Sequence, residues 1–299
     1  MGLRCAISRA YGSLKSLKNS IMLLVVVIIW GGNWVNMKIG FNYVTPLNYL
    51  FQRFFFSAIM IAPFLLFLKN GIRKDFKVIT NVIILCVIYA FSVIFMMLGL
   101  ESESSGISAI VTFTQPLFVF GLSAVFLKNE ITKMKVAGVL VGFAGIGMIY
   151  LEKVGSKGEI TLSILFLLLS ALLWAVTIVY YKIISEAVHP YWISFSQVAI
   201  GSIVVLPFAL LTGGIKFIYE LPYILSIVYL TVLSTVLAFF LWFYLLKNED
   251  ATTVSSSSLM IPVIALVSGV FILGETVNLY QVIGVLMVLT GIYLVNRRQ

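Results

Sequence analysis

Long apolar runs, separated by short polar stretches, make up most of this chain. Each run is too long for a buried strand, and none shows the ten-residue alternation of an outer-membrane β-barrel. A helix that crosses the hydrocarbon core of a bilayer needs about 20 apolar residues. The pattern therefore predicts an all-α integral membrane protein with ten transmembrane helices, at residues 20–38, 46–68, 78–100, 104–127, 134–151, 160–181, 189–212, 221–246, 252–274 and 278–296.

Composition agrees with this prediction. The 299 residues are 61% hydrophobic and 10% charged, and their mean hydropathy is +1.11. Soluble domains are about 45–50% apolar and about 25% charged, so the composition excludes that class. Cys5 and Cys86 lie in different settings and indicate neither a disulfide framework nor a metal cluster. We expect no cofactor and no metal.

The basic residues predict the orientation in the membrane, because positive charge concentrates on the cytoplasmic side. With the N-terminus inside, cytoplasmic segments carry 15 of the 20 Lys and Arg residues: four in the leader, four after span two, three after span four and four later. Outside loops carry Lys38, Lys153, Lys157 and Lys216. We expect cytoplasmic N- and C-termini. Membrane orientation also explains the net charge of +9 without a nucleic-acid partner.

The chain also repeats itself. Trp, Lys and Pro residues of the first half recur 144 positions later, and Pro and Gly residues further along recur 146 positions later. The first set pairs Trp30, Lys38, Pro46 and Pro63 with Trp174, Lys182, Pro190 and Pro207, and the second pairs Pro116, Gly138 and Gly145 with Pro262, Gly284 and Gly291.

This repeat divides the chain into a basic cytoplasmic leader at 1–19, a first repeat at 20–151 and a second repeat at 160–296. Five spans are an odd number, so the second repeat enters the membrane in the opposite direction. Two inverted five-helix repeats are a common architecture of secondary transporters. The alternative is a duplicated scaffold without a transport role.

Several motifs resemble those of the EamA type within the drug/metabolite transporter superfamily. They are the WGGNW segment at 30–34, Arg53, Asn129-Glu130 with Gly138 and Gly142, and Gly274-Glu275 with Gly284 and Gly291. The first turn departs from the family's Gly-Glu pattern. The resemblance extends from about Trp30 to Gly291 and implies an exporter or facilitator of small metabolites, often amino acids, with a central cavity between the halves.

Arg53 is the one charge well inside a predicted span. No Asp or Glu lies deep in any predicted span to pair with it, and a charge within the bilayer is costly without a partner. Either Arg53 anchors the structure through carbonyls and helix ends, or it attracts an anionic group such as a substrate carboxylate.

Other polar and aromatic side chains inside the spans are candidates for the wall of a substrate cavity. For any one Ser or Thr the alternative is a hydrogen bond between helices or to a carbonyl of its own helix. Trp192 and Trp242 lie near predicted span ends, where we expect interfacial aromatic residues. The predicted cavity residues are Trp30, Asn33, Arg53, Tyr89, Thr112, Gln115, Trp174, Thr177, Tyr181 and Ser257.

Together these features predict a secondary transporter of small organic metabolites such as amino acids. Every carboxylate falls at a predicted span end or loop, which favours facilitated flow or exchange over proton coupling. A nucleotide-sugar or drug carrier of the same superfamily remains the alternative. A membrane-embedded enzyme is the alternative of another class, although the sequence shows no HExxH, P-loop or other catalytic motif.

We expect the partners to be a small-molecule substrate and the lipid bilayer. We expect a monomer rather than a dimer, because ten spans build a complete cavity and the Gly138-x3-Gly142 motif serves packing within the chain. Short loops without a targeting extension predict the cytoplasmic membrane of a prokaryotic cell.

Overall fold

A computed structural model describes residues 2–65, 75–127, 132–157, 162–249, 254 and 260–296. Within these ranges the regular structure is helical, with no β-strand. The α-helices are α1 (Gly2–Phe41), α2 (Pro46–Leu65), α3 (Phe76–Ser102), α4 (Ser105–Thr112), α5 (Gln115–Phe126), α6 (Lys133–Lys157), α7 (Leu162–Ile184), α8 (Pro190–Leu211), α9 (Leu221–Val228), α10 (Ala238–Asn248), α11 (Met260–Leu273) and α12 (Leu279–Asn296).

Every predicted span overlaps at least one of these helices. Six helical stretches in the described part are long and apolar enough to cross a membrane, and 261–273 and 279–295 form shorter apolar helices. The all-helical membrane architecture is confirmed, whereas the count of ten crossings stays a prediction. The leader continues the first span, because α1 begins at Gly2.

Two predicted spans are interrupted. Span four bends at 113–114, between α4 and α5, where Pro116 has no N–H to continue the helix. In span eight, α9 and α10 are joined by a nine-residue π-helical segment, Tyr229–Leu237. Such segments are rare and frequently accompany functional sites.

The most closely packed pair of helices is α6 and α12, where glycines let the two backbones touch. A Cβ built at Gly138 would lie 2.6 Å from the carbonyl oxygen of Gly291, and one built at Gly145 would lie 2.6 Å from that of Gly284. As the residue number rises on α6, that of its neighbour falls on α12, so the helices run antiparallel.

Contacts between the halves form a reciprocal pattern. Helix α2 packs on α8, and α4 packs on α11, so each pair joins equivalent spans of the two repeats. Helix α3 packs on α7, and the equivalent contact joins α1 to span eight. The two halves are therefore interleaved rather than separate domains.

One turn of the second repeat caps a helix of the first. Gly274 adopts a left-handed conformation (φ 67°), which glycine reaches without strain, directly after α11. The Glu275 carboxylate then accepts hydrogen bonds from the backbone N–H groups of Ser105 (2.6 Å) and Gly106 (3.3 Å) and from the Ser105 hydroxyl (2.8 Å). These donors begin α4, where a negative charge is favourable. The equivalent Glu130 lies outside the described residues.

Large apolar side chains point away from the bundle as well as into it. Ile203 on α8, Phe271 on α11 and Leu286 on α12 are among the exposed ones. A continuous apolar outer surface is unfavourable in water and suits contact with lipid. The polar groups described below lie in the interior.

Candidate substrate site

A small cavity lies between the two repeats, in the middle of the helical bundle. Its volume is about 40 Å³, which holds about three water molecules and is far below the roughly 300–1,000 Å³ of sites for organic ligands. The surrounding side chains must therefore move apart before an organic solute fits. They are Trp30, Asn33, Trp34, Arg53, Tyr89, Ser92, Val93, Met96, Phe113, Ser170, Trp174 and Phe239.

Half of the residues that line this cavity are aromatic. The Trp30 ring centroid lies 5.7 Å from that of Trp174 and 5.0 Å from that of Trp242. Phe113 lies 5.4 Å from Trp174, and Tyr89 lies 5.6 Å from Phe239. These separations are those of favourable edge and tilted ring pairs. The cavity therefore offers apolar ring faces contributed by both repeats.

Arg53 is the charged group of this wall and is only 3% exposed. Its Nε donates to the Thr235 hydroxyl (2.8 Å) and its Nη2 donates to the Ser234 hydroxyl (3.3 Å). The guanidinium carbon also lies 5.9 Å from the centroid of the Phe239 ring. Among the residues that the structure describes, no carboxylate forms an ion pair with Arg53. Its positive charge is thus held by neutral groups.

Both Arg53 partners belong to the π-helical segment, which has further contacts with the first repeat. The Trp30 indole N–H donates to the Ser234 carbonyl (3.1 Å), and the Ser57 hydroxyl donates to the Thr231 carbonyl (3.4 Å). Within the segment, the Thr235 hydroxyl donates to the carbonyl of Leu230 (2.7 Å). The segment therefore presents its polar groups to α1 and α2.

Hydrogen bonds close the bundle towards the predicted outer face. Gln52, beside Arg53 on α2, donates to the Lys216 carbonyl (2.7 Å) and accepts from the Tyr223 hydroxyl (2.9 Å). Tyr49 is hydrogen-bonded to Ser226. These contacts join α2 to the loop before span eight and to α9 at its start.

A lysine closes the opposite end of span eight. The Lys182 ammonium group on α7 donates to the carbonyls of Leu246 (3.0 Å) and Glu249 (2.7 Å) at the end of α10. The Asn19 amide on α1 donates to the Glu249 carboxylate (2.5 Å). Helices α1, α7 and α10 are thereby joined below the cavity.

The structure brings together five of the ten predicted cavity residues: Trp30, Asn33, Arg53, Tyr89 and Trp174 line the cavity. The other described ones are buried elsewhere. Thr177 donates to the Leu173 carbonyl of its own helix (3.0 Å), and Tyr181 donates to the Phe243 carbonyl (3.4 Å). Thr112 and Gln115 are fully buried, and their side chains have no hydrogen-bond partner among the described residues. Ser257 lies outside the described residues.

The expectation that Trp242 lies at the membrane interface is wrong. Its side chain is 2% exposed and packs on Trp30 and Trp174, because it points inward from α10. The sequence prediction missed several cavity residues. Trp34 stands one turn from Trp30, and Ser92 and Met96 stand one and two turns from Tyr89, so helical spacing was an available signal. Phe113 and Phe239 carried no signal beyond being aromatic.

The described carboxylates and His189 lie near helix ends or in the connections between helices, as predicted. Glu103 at the end of α3 accepts from the Ser163 hydroxyl (2.5 Å), and Glu275 caps α4. His189 precedes α8, where burial and the positive charge of Lys247 lower its pKa from the ordinary value. The described residues contain no group of three or more His, Cys, Asp and Glu suited to a metal ion.

Comparison with known proteins connects this architecture to one family. The sequence model of the EamA-like transporter family matches residues 17–151 and again residues 161–297, which correspond to the two predicted repeats. A crystal structure of a protein that is 16% identical superimposes with a TM-score of 0.68, covering 93% of this chain and 96% of that one. That match shows a shared fold.

Relatives with similar sequences are named as transporters. An uncharacterized transporter of Archaeoglobus fulgidus is 31% identical over 286 residues, which are 95% of this chain and 100% of that protein. A probable amino-acid metabolite efflux pump of Salmonella typhimurium is 27% identical over 93% of this chain and 95% of that protein. One of the same name from Escherichia coli is 25% identical over the same shares. These matches confirm the resemblance drawn from the motifs.

Proposed function

Because the chain belongs to the EamA-like transporter family, we propose that it is a secondary transporter of small organic solutes that carry a carboxylate, amino acids and related metabolites first among them. The solute passes through the cavity between the repeats and leaves the cytoplasm. The names of the Salmonella and Escherichia coli relatives favour amino-acid metabolites and outward movement.

The observation that carries this proposal is the buried charge of Arg53. A buried charge without a partner is costly, and Arg53 is 3% exposed with only neutral partners among the described residues. A carboxylate is the anion that a guanidinium binds best in a fork geometry. A solute that brings this anion offsets the cost, and the surrounding rings suit its apolar part.

To move such a solute, the cavity must open to one side of the membrane at a time. The reciprocal contacts of α6 with α12 and of α2 with α8 support two halves related by a two-fold axis in the membrane plane. Exchange of conformation between inverted halves converts an inward-open state into an outward-open one. We propose ten crossings, with both termini in the cytoplasm of a prokaryotic cell.

We also propose that one chain is the transporting unit. Gly138 and Gly142 of α6 pack against Gly291 of α12 in the same chain, so this GxxxG motif is not available for a dimer contact. The deep acid that a proton-coupled carrier requires is missing from the described cavity wall, which supports facilitated flow or exchange.

A nucleotide-sugar carrier is the second candidate. The phosphate groups of a nucleotide sugar bind best to several basic side chains. Arg53 is the one cation that lines the described cavity. The positive charge of Arg53 would repel a cationic drug. Amino acids therefore rank ahead of both.

Transport by purified protein in liposomes tests the proposal. The solutes are L-phenylalanine, phenethylamine, which lacks the carboxylate, a nucleotide sugar and a cationic drug. We expect uptake of L-phenylalanine well above that of phenethylamine. Loss of one hydrogen bond to a charged group corresponds to about a tenfold effect, so Arg53→Gln should lower the apparent affinity for L-phenylalanine by about tenfold or more.

Thr290→Val serves as the control variant, since Thr290 is exposed on α12 and its hydroxyl donates to the Leu286 carbonyl of the same helix. This variant should transport as the wild type does. Transport of nucleotide sugars alone, or an Arg53→Gln protein that carries L-phenylalanine normally, would contradict the proposal.

A further inference from the structure

Span eight differs from its counterpart in the first repeat by one residue. Helix α3 comprises 27 residues, Phe76–Ser102, whereas α9, the π-helical segment and α10 together comprise 28, Leu221–Asn248. The spans begin 145 positions apart and end 146 positions apart. A π register accommodates one extra residue without lengthening the helix by a full step, so the additional residue lies within Tyr229–Leu237.

The extra residue lies where span eight meets the cavity. Arg53 bonds the hydroxyls of Thr235 and Ser234, and Trp30 bonds the Ser234 carbonyl. Arg53, Trp30 and Phe239 all line the cavity, and Phe239 follows the segment by two residues. The same guanidinium therefore lies between the site proposed for the solute and the irregular part of the helix.

We propose that the π-helical segment couples solute binding to movement of the second repeat. In the structure, Arg53 holds the segment against α2 through Thr235 and Ser234. A bound carboxylate takes these donors, because it carries a negative charge and accepts from a guanidinium in a bidentate fork, which two separate hydroxyls do not offer. The segment then loses these two bonds to α2, and α10 changes position with it.

This coupling rests on the proposed function and follows from differential binding. A ligand shifts a conformational equilibrium only by the difference between its affinities for the two states. Here the state with Arg53 bonded to the hydroxyls binds the carboxylate weakly, and the released state binds it tightly. Thr235 and Ser234 are thus positioning residues, which hold Arg53 until the solute arrives.

Thr235→Val and Ser234→Ala separate this role from a purely structural one. With the competing hydroxyl removed, each variant should bind L-phenylalanine at least as tightly as the wild type, followed by the fluorescence of the cavity tryptophans. Turnover in liposomes should fall by about tenfold, since the bond that returns the segment to α2 is lost. Thr290→Val should change neither quantity.

The outcomes separate two kinds of failure. If the wild type transports L-phenylalanine and both variants lose affinity as Arg53→Gln does, the segment only positions Arg53, and the coupling is overturned. Unchanged affinity and turnover in both variants overturn it as well, while the proposed function stands. If the wild type neither binds nor transports L-phenylalanine, the proposed function fails and the coupling with it.

Discussion

Two contacts between equivalent helices, α6 with α12 and α2 with α8, differ in how well they keep the symmetry of the repeats. At the first contact, both sides contribute glycines at equivalent positions, and each glycine touches the backbone of the opposite helix. At the second contact, Arg53 on α2 corresponds to Gln197 on α8, 144 positions later. Arg53 donates hydrogen bonds to two hydroxyls, whereas neither polar atom of the Gln197 amide has a hydrogen-bond partner among the described residues.

The α6–α12 contact, which is the same in both repeats, holds the halves together. The α2–α8 contact, where the repeats differ, allows the halves to act differently. A close backbone contact tolerates no added atom, so both repeats keep glycine there. The interior helices have diverged in charge at Arg53 and in length within span eight. Both of these differences between the repeats lie at or beside the cavity.

The largest effect on stability should come from adding a methyl group at the contact between α6 and α12. A Cβ at Gly145 would lie 2.6 Å from the Gly284 carbonyl oxygen, and one at Gly291 would lie 2.5 Å from that of Gly138. We expect Gly145→Ala and Gly291→Ala to destabilise the protein by similar amounts, about 3 kcal/mol each, as overpacked cores do. Thermal unfolding in detergent measures the loss.

Gly147→Ala on α6 is the matched control, because a Cβ there meets nothing within 4 Å. It should leave the unfolding temperature unchanged or raise it, since alanine favours the helix. Unequal losses for Gly145→Ala and Gly291→Ala would show that the two sides of this contact are not equivalent.

At the α2–α8 contact, we expect a substitution that moderately increases the stability of the protein. A buried amide without partners costs about 1–3 kcal/mol, so Gln197→Leu should stabilise the protein by about 1 kcal/mol. Transport of L-phenylalanine should persist, in contrast to Arg53→Gln. A loss of transport in a stable Gln197→Leu protein would place Gln197 on the solute's path and weaken the contrast between α2 and α8.

The smallest effect on stability is expected at the residues that cap the N-termini of α2 and α8. The Thr45 hydroxyl accepts from the Asn48 N–H (3.4 Å), and the equivalent His189 Nδ1 accepts from the Tyr191 N–H (3.2 Å). Burial and Lys247 lower the pKa of His189, so the unfolded chain binds a proton that the folded one rejects. Stability is therefore full above the ordinary histidine pKa of about 6.5 and falls as the pH drops below it.

His189→Thr installs the cap of the first repeat in the second. We expect this variant to lose less thermal stability than the wild type between pH 7.5 and pH 5.5, by a few tenths of a kcal/mol. His189→Asn keeps a polar cap without a titrating group and should match it. Equal pH dependence in all three proteins would exclude His189 as the source.

The sequence predicted the all-helical membrane fold and the two repeats, because apolar runs and repeat spacing follow directly from residue types. It also predicted Trp30, Arg53 and Trp174 in the cavity, since charged and aromatic side chains inside a span have few other roles. It did not predict that Thr112 lies away from the cavity or that Trp242 points into the bundle. Helical spacing shows which residues share a face, but not which neighbour that face meets.

The π-helical segment shows a further limit of prediction. The spacing between the repeats drifts from 144 to 146 positions, which reveals added residues but does not place them. Only the helix bounds locate one of them within span eight. Whether such a residue forms a loop, a bend or a π register depends on the partners available, here Arg53, Trp30 and Ser57.

The additional residue of span eight has a consequence for how such a protein can change over time. In an assembly of two identical five-helix chains, any inserted residue would occur in both copies, and the pair would keep its twofold equivalence. With both halves on one polypeptide, a single codon can alter one half alone. Linkage of the halves thus permits a difference in sequence between them that two identical subunits could not encode.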